Sequence, residues 1–325
     1  MTTIDSLRTF ATHKDNFTQI SDWLEFAKRF ADYLASGQTQ ATIVARNEPN
    51  YLFYQFGQDA GYQVTRPINS NLYHDATSID ASVSKLNEML DALRDGQPID
   101  ARDRPFLPSV IYTAQQSIGA ALDALPAGQS NRARKVNGDL FERFIRLLIE
   151  SIGIPCHSGV LGVPVRDDDG TELFKMSYQH DLMMTVAGEL RVIGSVKTSS
   201  KDRIDKIFMD KFLYSRLTDT AVPHIGIFLN DVQRVGQEPN YGVSGTFLPG
   251  HFKGYTVKLN ALDGVYYCDL RPNMKTDPLL AAHISSIDKL FCDDLPNLVA
   301  HEGTELAEIV IIDDDPIADA ANPAQ

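Results

Sequence analysis

A nearly continuous apolar run, Leu190 to Val196, constrains this chain more than any other stretch. Its length suits one strand, and apolar residues at consecutive positions demand cover on both faces. Lys197 closes the run. Because side chains alternate with period two, Ser195 and Lys197 share one face while Val196 points to the other. Upstream, Asp181 to Thr185 is a second short apolar run that opens on a carboxylate, and Ala187, Gly188 and Glu189 between the runs read as a hairpin turn. Downstream lie a polar stretch, Thr198 to Arg203, and an amphipathic helix from about residue 202 to 217. His224 to Asn230 is again of strand length and apolar. Strand, helix, strand normally makes parallel neighbours through a right-handed crossover. An antiparallel hairpin joined to a parallel crossover predicts a mixed sheet.

The flanking chain adds helices before this unit and closing elements after it. Trp23, Phe26, Phe30 and Leu34 mark a helical stripe over residues 21 to 34, with Asp22 and Glu25 in capping-box spacing. Ile79, Val83, Leu86, Leu90 and Leu93 mark a second helix that stops at Gly96, and residues 108 to 125 a third, ended by Pro126 and Gly128. The aromatic segment Tyr51 to Phe56 has the make-up of a base-stacking surface and of a core; the core reading is preferred. Pro126 to Asn131 is the best linker candidate. The expected division is a mainly helical N-terminal region, residues 1 to 130, and an α/β domain, residues 131 to 325, with a mixed central sheet flanked by helices. In the second part, Asp139 to Ile152 reads as an amphipathic helix with Glu142 in its first turns. Gly159 to Val165 and residues 175 to 186 read as strands, and residues 247 to 267 as an aromatic-rich loop with one or two closing strands. A helix near residues 279 to 291 and a strand near 308 to 312 follow, and the acidic tail with Asp313, Asp314, Asp315 and Asp319 is expected to fray.

Charge narrows the function. The formal net charge of -13 argues against a protein that coats nucleic acid nonspecifically, since polyanion binding needs clustered Lys and Arg. The cations are nevertheless concentrated: residues 197 to 216 carry six against three aspartates, and residues 132 to 146 carry five against Asp139 and Glu142. Taken alone, either segment also fits a solvated helix face. Three widely spaced cysteines, no transmembrane run and no signal-peptide core point to the cytosol.

Asp181 and Lys197 stand sixteen residues apart, on adjacent antiparallel strands if the turn lies near Gly188. Phosphodiester cleavage needs carboxylate oxygens to hold Mg²⁺ and a cation beside the attacking water and the charge that develops on phosphorus. This pair can supply both. The arrangement resembles the PD-(D/E)xK nuclease superfamily, and within it the type II restriction endonucleases. That pattern has an acid two residues before the lysine, where this chain has Ser195. A branch that reads sites containing CC and GG is similar in this respect, taking its second acid from the following helix. Asp210, thirteen residues after Lys197, falls at that place.

The resemblance carries further residues with it. The branch's Arg-(Asp/Glu)-Arg base-reading cluster begins four residues after the lysine, where this chain has Lys201, Asp202 and Arg203. Glu142 corresponds to an acid on the N-terminal helix near the metal, and Arg132, Arg134 and Lys135 to a basic lead-in that meets DNA. What it implies is Mg²⁺ held by Asp181, Asp210 and Glu142, Lys197 as the catalytic cation, and a homodimer on double-stranded DNA. Two other readings stay open: a sequence-specific DNA-binding module without catalysis, and a repair or phage-defence nuclease without a fixed site.

Overall fold

The computed structural model describes residues 2–201, 203–301, 304–305 and 309–311. The chain opens with helices α1 (Ile4–Thr12) and α2 (Ile20–Ala35), strands β1 (Ala41–Val44), β2 (Tyr51–Gln55) and β3 (Ile68–Asn69), then helices α3 (Ile79–Arg94) and α4 (Phe106–Leu122). The stripe on α2 buries Trp23, Phe26 and Phe30 as its spacing dictates. Its cap lies one turn earlier than expected: Gln19 is the N-cap, and the Asp22 carboxylate accepts the N–H groups of Thr18 and Gln19. Every residue of α4 from Leu107 to Leu122 is buried, which makes it the axis of the helical layer. Tyr51 to Phe56 is core, as preferred, but it forms the middle strand of a three-stranded antiparallel sheet. This small sheet interrupts a region whose sequence reads as helical.

Next come α5 (Ser130–Ser151), β4 (Cys156–Arg166), β5 (Glu172–Val186), β6 (Glu189–Lys197), α6 (Ile204–Thr218) and β7 (His224–Phe228). They are followed by the hairpin β8 (Val232–Val235) and β9 (Gly242–Gly245), α7 (Pro249–Lys258), β10 (Gly264–Tyr267), α8 (Pro272–Thr276), α9 (Pro278–His283) and β11 (Ile284–Ser286). The last described elements are α10 (Ile287–Lys289), a π-turn leading to α11 (Leu295–Ala300), β12 (Thr304–Glu305) and β13 (Ile309–Ile311). The central sheet runs β11-β10-β7-β6-β5-β4-β13, with β12 beside β6. It is antiparallel from β13 to β6 and parallel from β6 to β11, the mixed α/β sheet expected from the hairpin and the crossover. Ala187 and Gly188 both take positive φ, 54° and 83°, which suits a tight hairpin turn.

Two local expectations give way. Residues 249 to 258, anticipated as loop, form α7: Pro249 starts it, and Phe252 buries against Phe208 and Phe247, which outweighs the low helix propensity of Gly250 and Gly254. The expected helix over 279 to 291 is split by β11, because Ile284 pairs in parallel with Val265. The acidic tail lies outside the described residues. One hydrophobic core joins the layers, running from Ile4 and Trp23 through α4 and α5 to Leu182, Val196 and Leu298. The turn at residues 126 to 129 leads directly from α4 into α5, and these helices pack on each other. No helix among the described residues is long and apolar enough to cross a membrane.

Candidate active site

One extra residue in β5 positions the first acid. Two residue steps in β4, His157 to Gly159, face three in β5, Met183 back to His180, so β5 bulges at Asp181 and Leu182. A bulge breaks the alternation of faces and re-aims a side chain. Tyr178 and Met183 accordingly share the cluster on the α6 side, while Leu182 packs in the main core. Backbone pairing of β5 with β6 begins at Leu182 and Gly194. Beyond that point the Asp181 carboxylate takes over, with Oδ2 accepting the Val196 N–H at 2.8 Å. Lys197, the next residue, ends β6 beside Phe228 of β7.

Lys197 joins two acids. Its Nζ donates to Asp181 Oδ2 at 2.5 Å and to Glu142 Oε1 at 2.8 Å. Glu142 comes from α5, and here the sequence reading needs correction. Because the apolar stripe continues upstream through Ala133, Val136 and Leu140, the helix begins at Ser130 and Glu142 lies mid-helix. The positive helix end therefore does not explain this acid, whose effect fades beyond the first turn. Burial, and then the Asp181 charge, push the Glu142 carboxyl up to about 7 against the pull of Lys197. Burial opposes the Lys197 ammonium too, but Asp181 and Glu142 outweigh it and hold its pKa above the usual lysine value.

The cluster opens into a cleft of about 1140 Å³. Glu142 and Lys197 lie on its lining together with Arg134 and Lys135 from α5, and Lys201 and Arg203 from the turn before α6. Five of the sequence-derived cations thus meet in one groove of an acidic protein. Arg132 is exposed and outside the cleft lining, and Asp202 lies outside the described residues. Another part of the cleft was not anticipated. Arg66 and Tyr62 of the N-terminal region line it, with Gln233, Arg234 and Tyr241 of the β8–β9 hairpin. Arg66 is held by a two-pronged contact to Asp123, with Nε at 2.9 Å and Nη2 at 2.8 Å from the carboxylate. No local pattern marks these residues; only the packing of the hairpin on the small sheet brings them to the cleft.

Asp210 stands apart from the Asp181, Lys197 and Glu142 cluster. It lies on α6, where its Oδ2 accepts from Lys206 Nζ at 2.6 Å, one turn away. It faces the β5 side: burial and then the Asp210 charge push the Tyr178 hydroxyl up, and the Tyr178 ring stacks on His180, the residue before Asp181. Among the described residues no group of three or more acids, histidines or cysteines is arranged to hold a metal ion. His180 packs in an aromatic box with Tyr178, Tyr214 and His224, and burial, with His224 and Lys206 adding to it, pushes its pKa down to about 3. It is a neutral wall residue on the α6 side.

A mixed sheet with an acid on a bulged hairpin strand, a lysine ending the next strand and a helix carrying a second acid is the restriction-endonuclease fold. The whole-chain comparison agrees. The structure is similar to the crystal structure of the Type IIP restriction endonuclease Kpn2I, with a TM-score of 0.67 and 17% identity over 93% of this chain and 99% of that one. The complex of restriction endonuclease PspGI with substrate DNA matches less well, with a TM-score of 0.38 and 13% identity over 68% of this chain and 90% of that one. No protein-family model and no curated protein matches the sequence.

Proposed function

We propose that the protein is a Mg²⁺-dependent type II restriction endonuclease that cuts double-stranded DNA, as a homodimer in the cytoplasm, at a short site containing CC/GG. The observation that carries this reading is the Asp181, Lys197 and Glu142 cluster opening into a cation-lined cleft of a protein whose net charge is -13. Clustered cations on an acidic body favour a polyanion in that groove.

The donor set suits a hard cation. Asp181 and Glu142 present carboxylate oxygens, and Mg²⁺ binds through one or two of these while keeping several waters. The like charge of Asp181 that raises Glu142 is a repulsion that such a cation relieves. Asp210 would join once its carboxylate leaves Lys206. When bound, the ion supplies a nucleophilic water near neutral pH and charge for the phosphoryl oxygens. Lys197 sets a fixed positive charge where negative charge grows as the water oxygen bonds to phosphorus and the phosphorus–sugar oxygen bond breaks. In this reading Lys201 and Arg203 donate to G O6 and N7, Asp202 accepts from C N4, and Arg132, Arg134 and Lys135 meet phosphates.

Incubating one long DNA with the protein and Mg²⁺ tests the proposal: a discrete set of bands is expected, lost in Asp181→Ala and in Lys197→Ala. Full cutting by either variant sinks it. Ser195 and the Lys206 contact of Asp210 favour one second reading, a module that binds a fixed sequence and cuts nothing. Selective binding without cleavage in any divalent metal would establish that instead.

A further inference from the structure

We infer that the β8–β9 hairpin carries a second base-reading group, with Gln233 reading an adenine next to the base pair faced by Lys201. This rests on the restriction-endonuclease reading of the cleft and assigns a specificity role outside the Lys201 to Arg203 segment.

Position comes first. Gln233 and Arg234 line the same cleft as Lys201 and Arg203. Lys201 Nζ donates to Gln233 Oε1 at 3.3 Å, so the two side chains meet in the cleft. Two side chains in direct contact reach the same or neighbouring base pairs, which lie about 3.4 Å apart along a DNA strand.

Rigidity comes second. A reading group must sit on an element that does not move. Val232 and Val243 pack with Ala45, Tyr51 and Phe53 of the small sheet. The Asn47 side chain pairs with the Val243 backbone in both directions, donating to its carbonyl at 2.8 Å and accepting its N–H at 3.0 Å. Arg46 N donates to Tyr241 O at 2.9 Å. A Cβ on Gly242 would come within 2.7 Å of Asn47 Oδ1, so the hairpin lies as close to the small sheet as backbone allows. Holding this hairpin in the cleft is thus a task the N-terminal region visibly performs.

Chemistry decides between the two neighbours. The Arg234 guanidinium is engaged, donating to Val64 O at 2.8 Å and Thr65 O at 3.3 Å and lying 5.2 Å from the Tyr241 ring centre. It clamps the hairpin. Among the described residues Gln233 makes only long contacts, to Lys201 at 3.3 Å and from Nε2 to Ser244 Oγ at 3.4 Å, which a ligand readily replaces. Its amide offers one donor and one acceptor side by side, the pattern that matches adenine N7 and N6 in the major groove, whereas Lys201 has donors alone and suits guanine.

The test is selection of randomised duplexes by the full-length protein in Ca²⁺, which allows binding to be read without relying on cleavage. Sequencing of bound DNA would compare wild type, Gln233→Ala and Gln233→Glu, each checked for an unchanged melting curve. Gln233→Ala should lose an adenine preference at one symmetric position by about 10- to 100-fold, and Gln233→Glu should turn it toward cytosine, whose N4 donates to a carboxylate. Selected sequences identical to wild type in both variants overturn the inference and leave the parent reading standing. A wild-type protein that selects no sequence removes the parent reading, and the inference with it.

Discussion

Two of the charge clusters among the described residues are alike in chemistry and differ in access. At the cleft, Lys197 sits between Asp181 and Glu142. Where the small sheet meets the loop after β10, Arg271 forks onto Glu48 with two contacts of 2.8 Å, lies 5.6 Å from the Tyr51 ring centre, and neighbours Asp231. Tyr51 and Asn69 donate to Asp269 at 2.8 and 2.9 Å. Each cluster contains a carboxyl raised mainly by burial, Glu142 to about 7 and Asp231 to about 6. A perturbed acid therefore does not distinguish them. Access does: Asp231 and Asp269 are sealed at 3% and 4% exposure, while Lys197 and Glu142 line a groove with further cations. One cluster ties the N-terminal region to the central sheet, and the other faces the open cleft.

Exchanging the damage between the clusters gives the sharpest test. Lys197→Ala should lower the cleavage rate by about 10²- to 10⁴-fold with little change in melting temperature. Arg271→Ala should do the reverse, costing about 3 to 5 kcal/mol in a denaturation curve because it strands buried carboxylates, while the protein that stays folded still cuts. Equal loss of cutting in both, with both stable, would break the contrast.

A rate comparison of Asp210→Ala with Ser195→Ala comes next. The aspartate change should slow cleavage and the serine change should leave it near wild type. The opposite order removes the assignment of the helix acid, which in the free protein is tied to Lys206.

The smallest effect concerns pH. Glu142 holds its proton more tightly in the folded state, about 7 against an ordinary 4.5, so between those values the folded state binds more protons than the unfolded one. Its contribution to stability is fully present below pH 4.5 and lost as pH rises through about 7. Unfolding curves at pH 5 and pH 8 in a chelator should differ less for Glu142→Gln than for wild type. Adding Mg²⁺ should shrink the wild-type difference in the same direction, since a bound cation favours the charged carboxylate. An unchanged difference in the variant would place the proton elsewhere.

Much of this was readable before the structure, for a physical reason. Burial imposes period two on strands and a stripe on helices, so the run Leu190 to Val196, the turn at Gly188 and the stripe along α5 declare themselves locally. The crossover from β6 through α6 to β7 follows from the handedness of the chain. The sequence therefore puts Asp181 and Lys197 side by side and sets Glu142 on an amphipathic helix; the resemblance alone gives that acid a place near the metal, and the charged Arg132, Arg134 and Lys135 mask where the helix starts.

The sequence by itself determined the secondary elements of the central sheet, the hairpin that carries the acid and the lysine, and the concentration of cations around them. Tertiary structure alone decided the bulge that turns Asp181, the arrival of Glu142 at Lys197, and the part of the cleft lining made by Arg66, Gln233 and Arg234, whereas the Lys206 contact of Asp210 is a local pair one helical turn apart. The reason is range. Periodicity reports which face of an element meets the core, but not which distant face it meets, and residues 66, 134, 197 and 233 share a cleft only through the sheet order and the packing of one layer on another.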